Sequence, residues 1–250
     1  MSIDVSNAIA QLTARTTAGP KQVKFAARVA LTRSIVKAKG ALEHEMRDVF
    51  SNPTPFTMSS LYVRPATATN LSAEVKLKDF AAKATPASKF LSAQIKGGQR
   101  SQKRFERALQ SVGALPPGYR IVPGAAAKLD SYGNMSRGQI VQILAFFRAF
   151  PEAGYKANMT SQGRAKLARG SKSKQGFAYF AGRPGDRLPL GIYQRITFAR
   201  GSAIKPVMIF VRSAIYQPTL DFEYVAEKTI QTEFAGEFVR AFAEAVRTAR

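Results

Sequence analysis

The chain holds few residues that could do covalent or metal chemistry. His44 is its single histidine, in the stretch ALEHEMRD (41–48), with Glu43 and Glu45 on either side. A histidine–carboxylate metal site is the chemistry to consider there. The HxxxH and ExxH spacings that put two ligands on one helical face are missing, and the surrounding helical pattern predicts a solvated residue. There is no cysteine, which excludes disulfides, thiolate nucleophiles and cysteine metal sites. Histidine-assisted nucleophilic catalysis could therefore rest only on His44.

Carboxylates that might gather divalent metal are equally sparse. Between a predicted hairpin that ends at Lys78 and the last helix they are Asp79, Glu106, Asp130, Glu152 and Asp186, and none forms a close cluster of the D/E…D/E-x-K type. A metal-dependent nuclease would have to assemble distant residues such as Asp130 and Asp186. The phosphate-cradling GxxxxGK[ST] loop and GxGxxG are both absent. Ser34-Ile35-Val36-Lys37 matches SxxK without its SDN and KTG companions, and helical spacing explains it. Asn158-Met159-Thr160 is a formal glycosylation acceptor that means nothing without secretion. The expectation is a protein with no catalytic residue, no metal site and no cofactor: not an enzyme.

What the sequence has in excess is positive charge. Its 250 residues include 38 Lys and Arg against 16 Asp and Glu, a net charge of +22. A surplus of that size repels itself unless an anionic partner lies nearby, whether nucleic acid, a membrane surface or an acidic protein. The stretch SQGRAKLARGSKSKQ carries Arg164, Lys166, Arg169, Lys172 and Lys174 with no acid and no aromatic residue. A second group, Lys96, Arg100, Lys103, Arg104 and Arg107, is opposed only by Glu106. Both groups are candidate DNA- or subunit-facing surfaces. No zinc finger, basic zipper or RNA-recognition motif accompanies them. Contacts with duplex DNA would then fall on the backbone and ignore sequence. The last stretch, Leu220 to Arg250, is the exception, with six acids and four bases. A neighbouring copy could present its basic surface to that acidic helix.

No apolar run is long enough to cross a bilayer; the best, Ile140 to Phe150, is short and contains Arg148. The first residues lack the basic start and apolar core of a secretory signal. A soluble protein made and kept in the cytoplasm, with no membrane partner, is expected.

The elements that must carry these residues follow from periodicity. At 45% hydrophobic residues the chain can bury a sizeable core. Ser2 to Thr16 could form a short helix. A long helix from Pro20 towards Phe50 is predicted by Val23, Ala27, Leu31, Ile35, Leu42 and Met46, with Gly40 as a weak point. Its other face carries Lys21, Lys24, Arg28, Arg33, Lys37 and Lys39. Leu61 and Val63, then Leu71, Ala73, Val75 and Leu77, alternate as a hairpin does. Ser101 to Val112 reads as a helix, Tyr119 to Val122 as a short strand. Ser136-Arg137-Gly138-Gln139 reads as a capping box opening a helix that buries Ile140, Ile143, Leu144 and Phe147. Residues 151–175 read as a long basic loop.

Gly176 to Ala181, Leu190 to Phe198 and Pro206 to Ser213 read as an antiparallel meander separated by the turns GRPGDRLP and ARGSAIKP. A final helix carries a stripe of Phe222, Val225, Ile230, Phe234, Phe238, Phe242 and Val246 that would pin it across the sheet. The expected architecture is one α+β domain over 1–250. Its antiparallel sheet, hairpin plus meander, packs against long N-terminal and C-terminal helices, and 81–175 is a basic, insertion-like region.

The order of long helix, hairpin, meander and final helix resembles tailed-phage neck and tail-completion proteins, the group that includes minor tail protein Z. The likeness is carried by a G-[IL]-Y-x-R strand, here Gly191, Ile192, Tyr193 and Arg195. A [LK]-x-x-x-x-F-V strand follows, here Lys205, Phe210 and Val211, and then a Y-x-P-x-x-x-[FY] link, here Tyr216, Pro218 and Phe222. These motifs are structural rather than catalytic, and the likeness is best over Gly176 to Arg250. The segment Ala81 to Gln175 is longer than the family pattern. The resemblance implies a non-enzymatic structural component of the virion, assembled in the host cytoplasm. Its copies would form a homo-oligomeric ring at the head–tail junction or the top of the tail. Portal or adaptor and tail proteins would be its neighbours, and double-stranded DNA would pass through the middle. The alternative is a stand-alone, sequence-independent DNA-binding protein that packages or protects nucleic acid.

Overall fold

A computed structural model describes residues 2–4, 19–82, 84–151, 158–212 and 215–248. Helix α1 (Pro20–Val49) begins at its proline, whose missing N–H leaves no bond unmade in a first turn. Its buried face is the predicted one, Val23, Ala27, Leu31, Ile35, Leu42 and Met46. Helix α2 (Pro55–Met58) is capped by Thr54, whose Oγ1 accepts from the Thr57 N–H at 3.1 Å. Strands β2 (Leu61–Arg64) and β3 (Ser72–Leu77) pair antiparallel, Leu61 opposite Leu77 and Val63 opposite Val75. Strand β1 (Ser2–Asp4) joins the free edge of β3. The helix expected over 2–16 therefore begins as a strand, because open ladder groups on β3 pair with it; residues 5–16 lie outside the described residues. Helices α3 (Ala87–Phe90) and α4 (Ser92–Lys96) follow, and the chain moves on through β4 (Gly98–Gln99).

The chain then forms a second compact unit, Gln99–Ile215, distinct from the unit made by Met1–Gly98 and Tyr216–Arg250. Each unit closes its own hydrophobic core. In the second unit, α5 (Arg104–Ser111), α6 (Arg137–Phe146) and α7 (Ser161–Arg169) accompany a four-stranded antiparallel sheet. Its members are β5 (Arg120–Pro123), β8 (Ala178–Ala181), β9 (Gly191–Phe198) and β10 (Gly201–Val211), in the order β5-β10-β9-β8. Strands β6 (Gly170–Ser171) and β7 (Lys174–Gln175) make a small separate hairpin. Leu109, Leu115, Ile121, Ile143, Tyr179, Ile192, Met208 and Phe210 fill the core between the helices and the sheet.

Three expectations change here. Residues 161–175 are not loop: Thr160 Oγ1 accepts from the Gly163 N–H at 3.0 Å and starts α7, and the β6–β7 hairpin follows. The capping box at 136–139 is half formed. Ser136 Oγ accepts from the Gln139 N–H at 3.3 Å, but the Gln139 side chain turns to the 126–128 loop. There it accepts from the Lys128 N–H at 2.6 Å and donates to the Ala126 carbonyl at 3.2 Å. The expected turn ARGSAIKP shrinks to Ala199-Arg200, with Gly201 to Lys205 continuing β10.

The chain returns through β11 (Ile215–Tyr216) into α8 (Phe222–Arg247), capped by Asp221 Oδ1 accepting from the Tyr224 N–H at 3.2 Å. Helix α8 lies along α1 rather than across the meander: Ala226, Ile230, Ala241 and Ala245 are buried, and Phe238 and Phe242 pack on Val23 and Ala27. Val246 falls off the predicted stripe and is 49% exposed. The two helices run antiparallel, since Arg33 pairs with Glu244 and Lys37 with Glu233. The fold is α+β with antiparallel sheets and its first and last helices packed together.

Candidate nucleic-acid interface

The two units divide the charge unequally. Residues 99–215 hold twenty bases and four acids, +16 of the chain's +22. Each described acid of this unit is engaged internally. Glu106 is fully buried and accepts from Arg100 Nη1 and Nη2 at 3.0 and 2.5 Å, from the Ile121 N–H at 2.8 Å and from the Lys103 N–H at 2.7 Å. Burial alone would raise its pKa; the Arg100 guanidinium and the two backbone donors outweigh that and hold it below the ordinary carboxylate value. Asp130 Oδ1 accepts from the Tyr132 and Asn134 N–H groups, both at 2.9 Å. Asp186 Oδ2 accepts from the Arg183 N–H at 2.7 Å.

Arg100 is therefore an internal counter-ion, its side chain only 13% exposed, and leaves the set of surface cations. Lys103 is exposed, yet desolvation and the neighbouring Arg100 charge hold its ammonium below the ordinary lysine value. Its Nζ lies 6.0 Å from the Phe105 ring centroid, at a cavity of about 300 Å³ lined also by Ile121, Pro123, Met135 and Ile140. Arg104 and Arg107 are exposed on α5. Lys96 is exposed at the end of α4, in the other unit, so the second predicted group is split.

The first group stays together in α7 and the β6–β7 hairpin. Lys166, Arg169, Lys172 and Lys174 are exposed. Arg164 is half-buried, its guanidinium 5.9 Å from the Phe146 ring centroid. The hairpin doubles back tightly on the end of α7. A Cβ on Gly176 would collide with the Ala168 carbonyl oxygen, a clash that only glycine avoids. Gln175 Nε2 donates to the Thr197 carbonyl at 3.1 Å, tying the hairpin to the outer end of β9. Sequence reasoning missed that neighbour. The outer β9–β10 ribbon places Arg195, Arg200 and Lys205 beside the first group, with exposed Phe198 and Ile204 among them. Its signal was alternation continuing on both sides of Ala199-Arg200.

The residues of the family-like motifs hold structure. Gly191 is buried, and a Cβ there would collide with the Met208 carbonyl oxygen. Tyr193 is buried, donates to the Pro189 carbonyl at 2.6 Å and stacks on Phe180, while Arg195 lies 4.8 Å from that ring centroid. Phe210 is in the core of the basic unit. Tyr216 and Pro218 sit against Gly97, and Phe222 is buried in the other unit.

In the helical unit the acids of α8 are largely spent at home. Lys37 Nζ lies 2.5 Å from Glu233 and 2.7 Å from Glu237, and Arg33 reaches Glu244 at 3.2 Å. The hydrogen bonds that Lys37 donates to Glu233 and Glu237 raise its pKa, and the bond to Glu237 holds that carboxyl low against desolvation. The acidic face expected to meet a neighbour's bases is thus largely neutralised by α1. His44 is exposed, its Nδ1 2.9 Å from Asp48 Oδ2, and no group of three metal-ligating side chains occurs among the described residues. Among those residues no helix is long and apolar enough to cross a membrane. The sequence matches no family model, no curated protein and no solved structure.

Proposed function

We propose that this chain is a non-enzymatic structural subunit of a tailed-phage virion, a neck or tail-completion protein whose copies ring the DNA channel. The observation that carries the reading is the +16 surplus on residues 99–215, where each described carboxylate is engaged by hydrogen bonds within the chain, Glu106 in the core and Asp130 and Asp186 in exposed turns. Such a surface is disfavoured alone and favoured beside a polyanion. The motif residues Gly191, Tyr193, Phe210 and Phe222 hold packing roles, as a likeness of scaffold rather than of active site requires. Portal or adaptor and tail proteins are the neighbours this placement implies, and duplex DNA is met through its phosphates. In cyclic assembly one heterologous contact repeats around the ring.

The test is electron microscopy of particles made by a phage with this gene deleted. Filled heads and tails that fail to join, or tails left incomplete, are expected, with restoration when the chain is supplied in trans. Intact, infectious tailed particles lacking the chain would overturn the proposal.

A further inference from the structure

Strand β5 pairs with β10 only from Met208 to Val211, and β8 pairs with β9 only as far as Arg195. Beyond those limits, among the described residues, the outer ends of β9 and β10 have strand partners only in each other and form a two-stranded ribbon. Its cross-strand register sorts the side chains. Phe198 stands opposite Gly201, so its ring has no side chain facing it, and Lys205 opposite Gln194 falls on the same face. Ile204 stands opposite Arg195 on the other face. Each face thus carries an exposed large apolar side chain and an exposed cation, and Arg200 occupies the turn. Phe198 is 53% and Ile204 40% exposed. The sequence has no acid between Asp186 and Asp221, and none between Glu152 and Asp186, which covers the adjoining α7 and β6–β7 hairpin.

We propose that this β9–β10 ribbon is an arm that enters a groove of duplex DNA. Arg195, Arg200 and Lys205 meet phosphates, and Phe198 and Ile204 pack on the sugars and base edges of the groove walls. Charge complementarity selects the occupant, and a two-stranded β-ribbon fits the width of the B-DNA major groove. Exposed apolar groups between phosphate-binding cations give contact that salt does not screen, which a purely electrostatic surface lacks. The inference deepens the proposed function and rests on its nucleic-acid partner.

Fluorescence anisotropy of the full chain with a mixed-sequence 30-base-pair duplex, over about 50–300 mM KCl, separates the two contributions. Arg200→Ala is expected to make the slope of log K against log salt shallower by about 0.9. Phe198→Ala with Ile204→Ala is expected to lower affinity about tenfold at every salt concentration and leave the slope unchanged. Both sites are exposed, and an unchanged far-ultraviolet circular dichroism spectrum verifies folding. Wild-type affinity in the double variant overturns the arm. So does loss of self-association by that variant with DNA binding intact, because the ribbon then belongs to a joint between copies. Failure of the wild-type chain to bind duplex at any salt would sink the nucleic-acid reading of the whole basic unit along with the arm.

Discussion

Arg100 holds the buried carboxylate of Glu106 with both terminal guanidinium nitrogens, at 3.0 and 2.5 Å, in the core of the basic unit. The pair joins the start of α5 to β5, since Glu106 also bonds the N–H groups of Lys103 and Ile121. One of twenty cations is thereby committed to folding, and the one acid near it cannot offset the surface. Arg100→Ala would leave Glu106 buried without its counter-ion. A loss of about 3–5 kcal/mol is expected in urea unfolding at pH 7. A near-neutral result would show that water replaces the guanidinium.

The same carboxylate sets a pH dependence. Its folded pKa lies below its unfolded value, so its contribution is complete above the ordinary carboxylate range and is lost as pH falls through the folded value. Thermal unfolding between pH 7 and pH 3 should steepen its decline below about pH 4.5. Glu106→Gln should remove that part of the decline.

Gly40 lies inside α1, is exposed, and has nothing within 4 Å of where a Cβ would stand. Gly40→Ala is expected to stabilise the helical unit by about 0.5–1 kcal/mol, read as a higher denaturation midpoint.

Lys37 and Glu237 join α1 to α8 through an ion pair at 2.7 Å. Lys37→Met and Glu237→Gln should each lower the melting temperature, and the double variant should fall by less than their sum. The coupling should shrink in 1 M salt, because the lysine end is in solvent.

The exposed cations of α7 and its hairpin should act through phosphates alone. Replacing Lys166, Arg169, Lys172 and Lys174 by Gln should flatten the salt dependence of duplex binding by about 0.9 for each phosphate no longer neutralised. Affinity should fall equally on unrelated sequences. A preference for one sequence that disappears with these residues would point to base reading instead.

Both long helices and the β2–β3 hairpin are legible in the sequence, because most of their apolar residues recur at helical spacing or alternate as strand residues do. Helix α7 is not: it buries no residue fully and is held by the Thr160 cap and the tight return at Gly176. Strand β1 is hidden because three residues carry no period and take their conformation from the edge of β3. The basic groups are visible as composition. Their division is not, because Arg100 becomes internal only once Glu106 is carried into the core, and Lys96 belongs to a separate unit. The outer ribbon reads as a turn in sequence because Gly201 and Pro206 bracket residues that pair only with β9.

The central claim is that residues 99–215 lie against packaged DNA inside a phage particle. Ultraviolet crosslinking of purified particles, followed by mass spectrometry of peptides bound to DNA, tests it most directly. The account predicts crosslinks within 161–175 and 195–205. Particles that lack the chain, or crosslinks confined to α1 and α8, would contradict it.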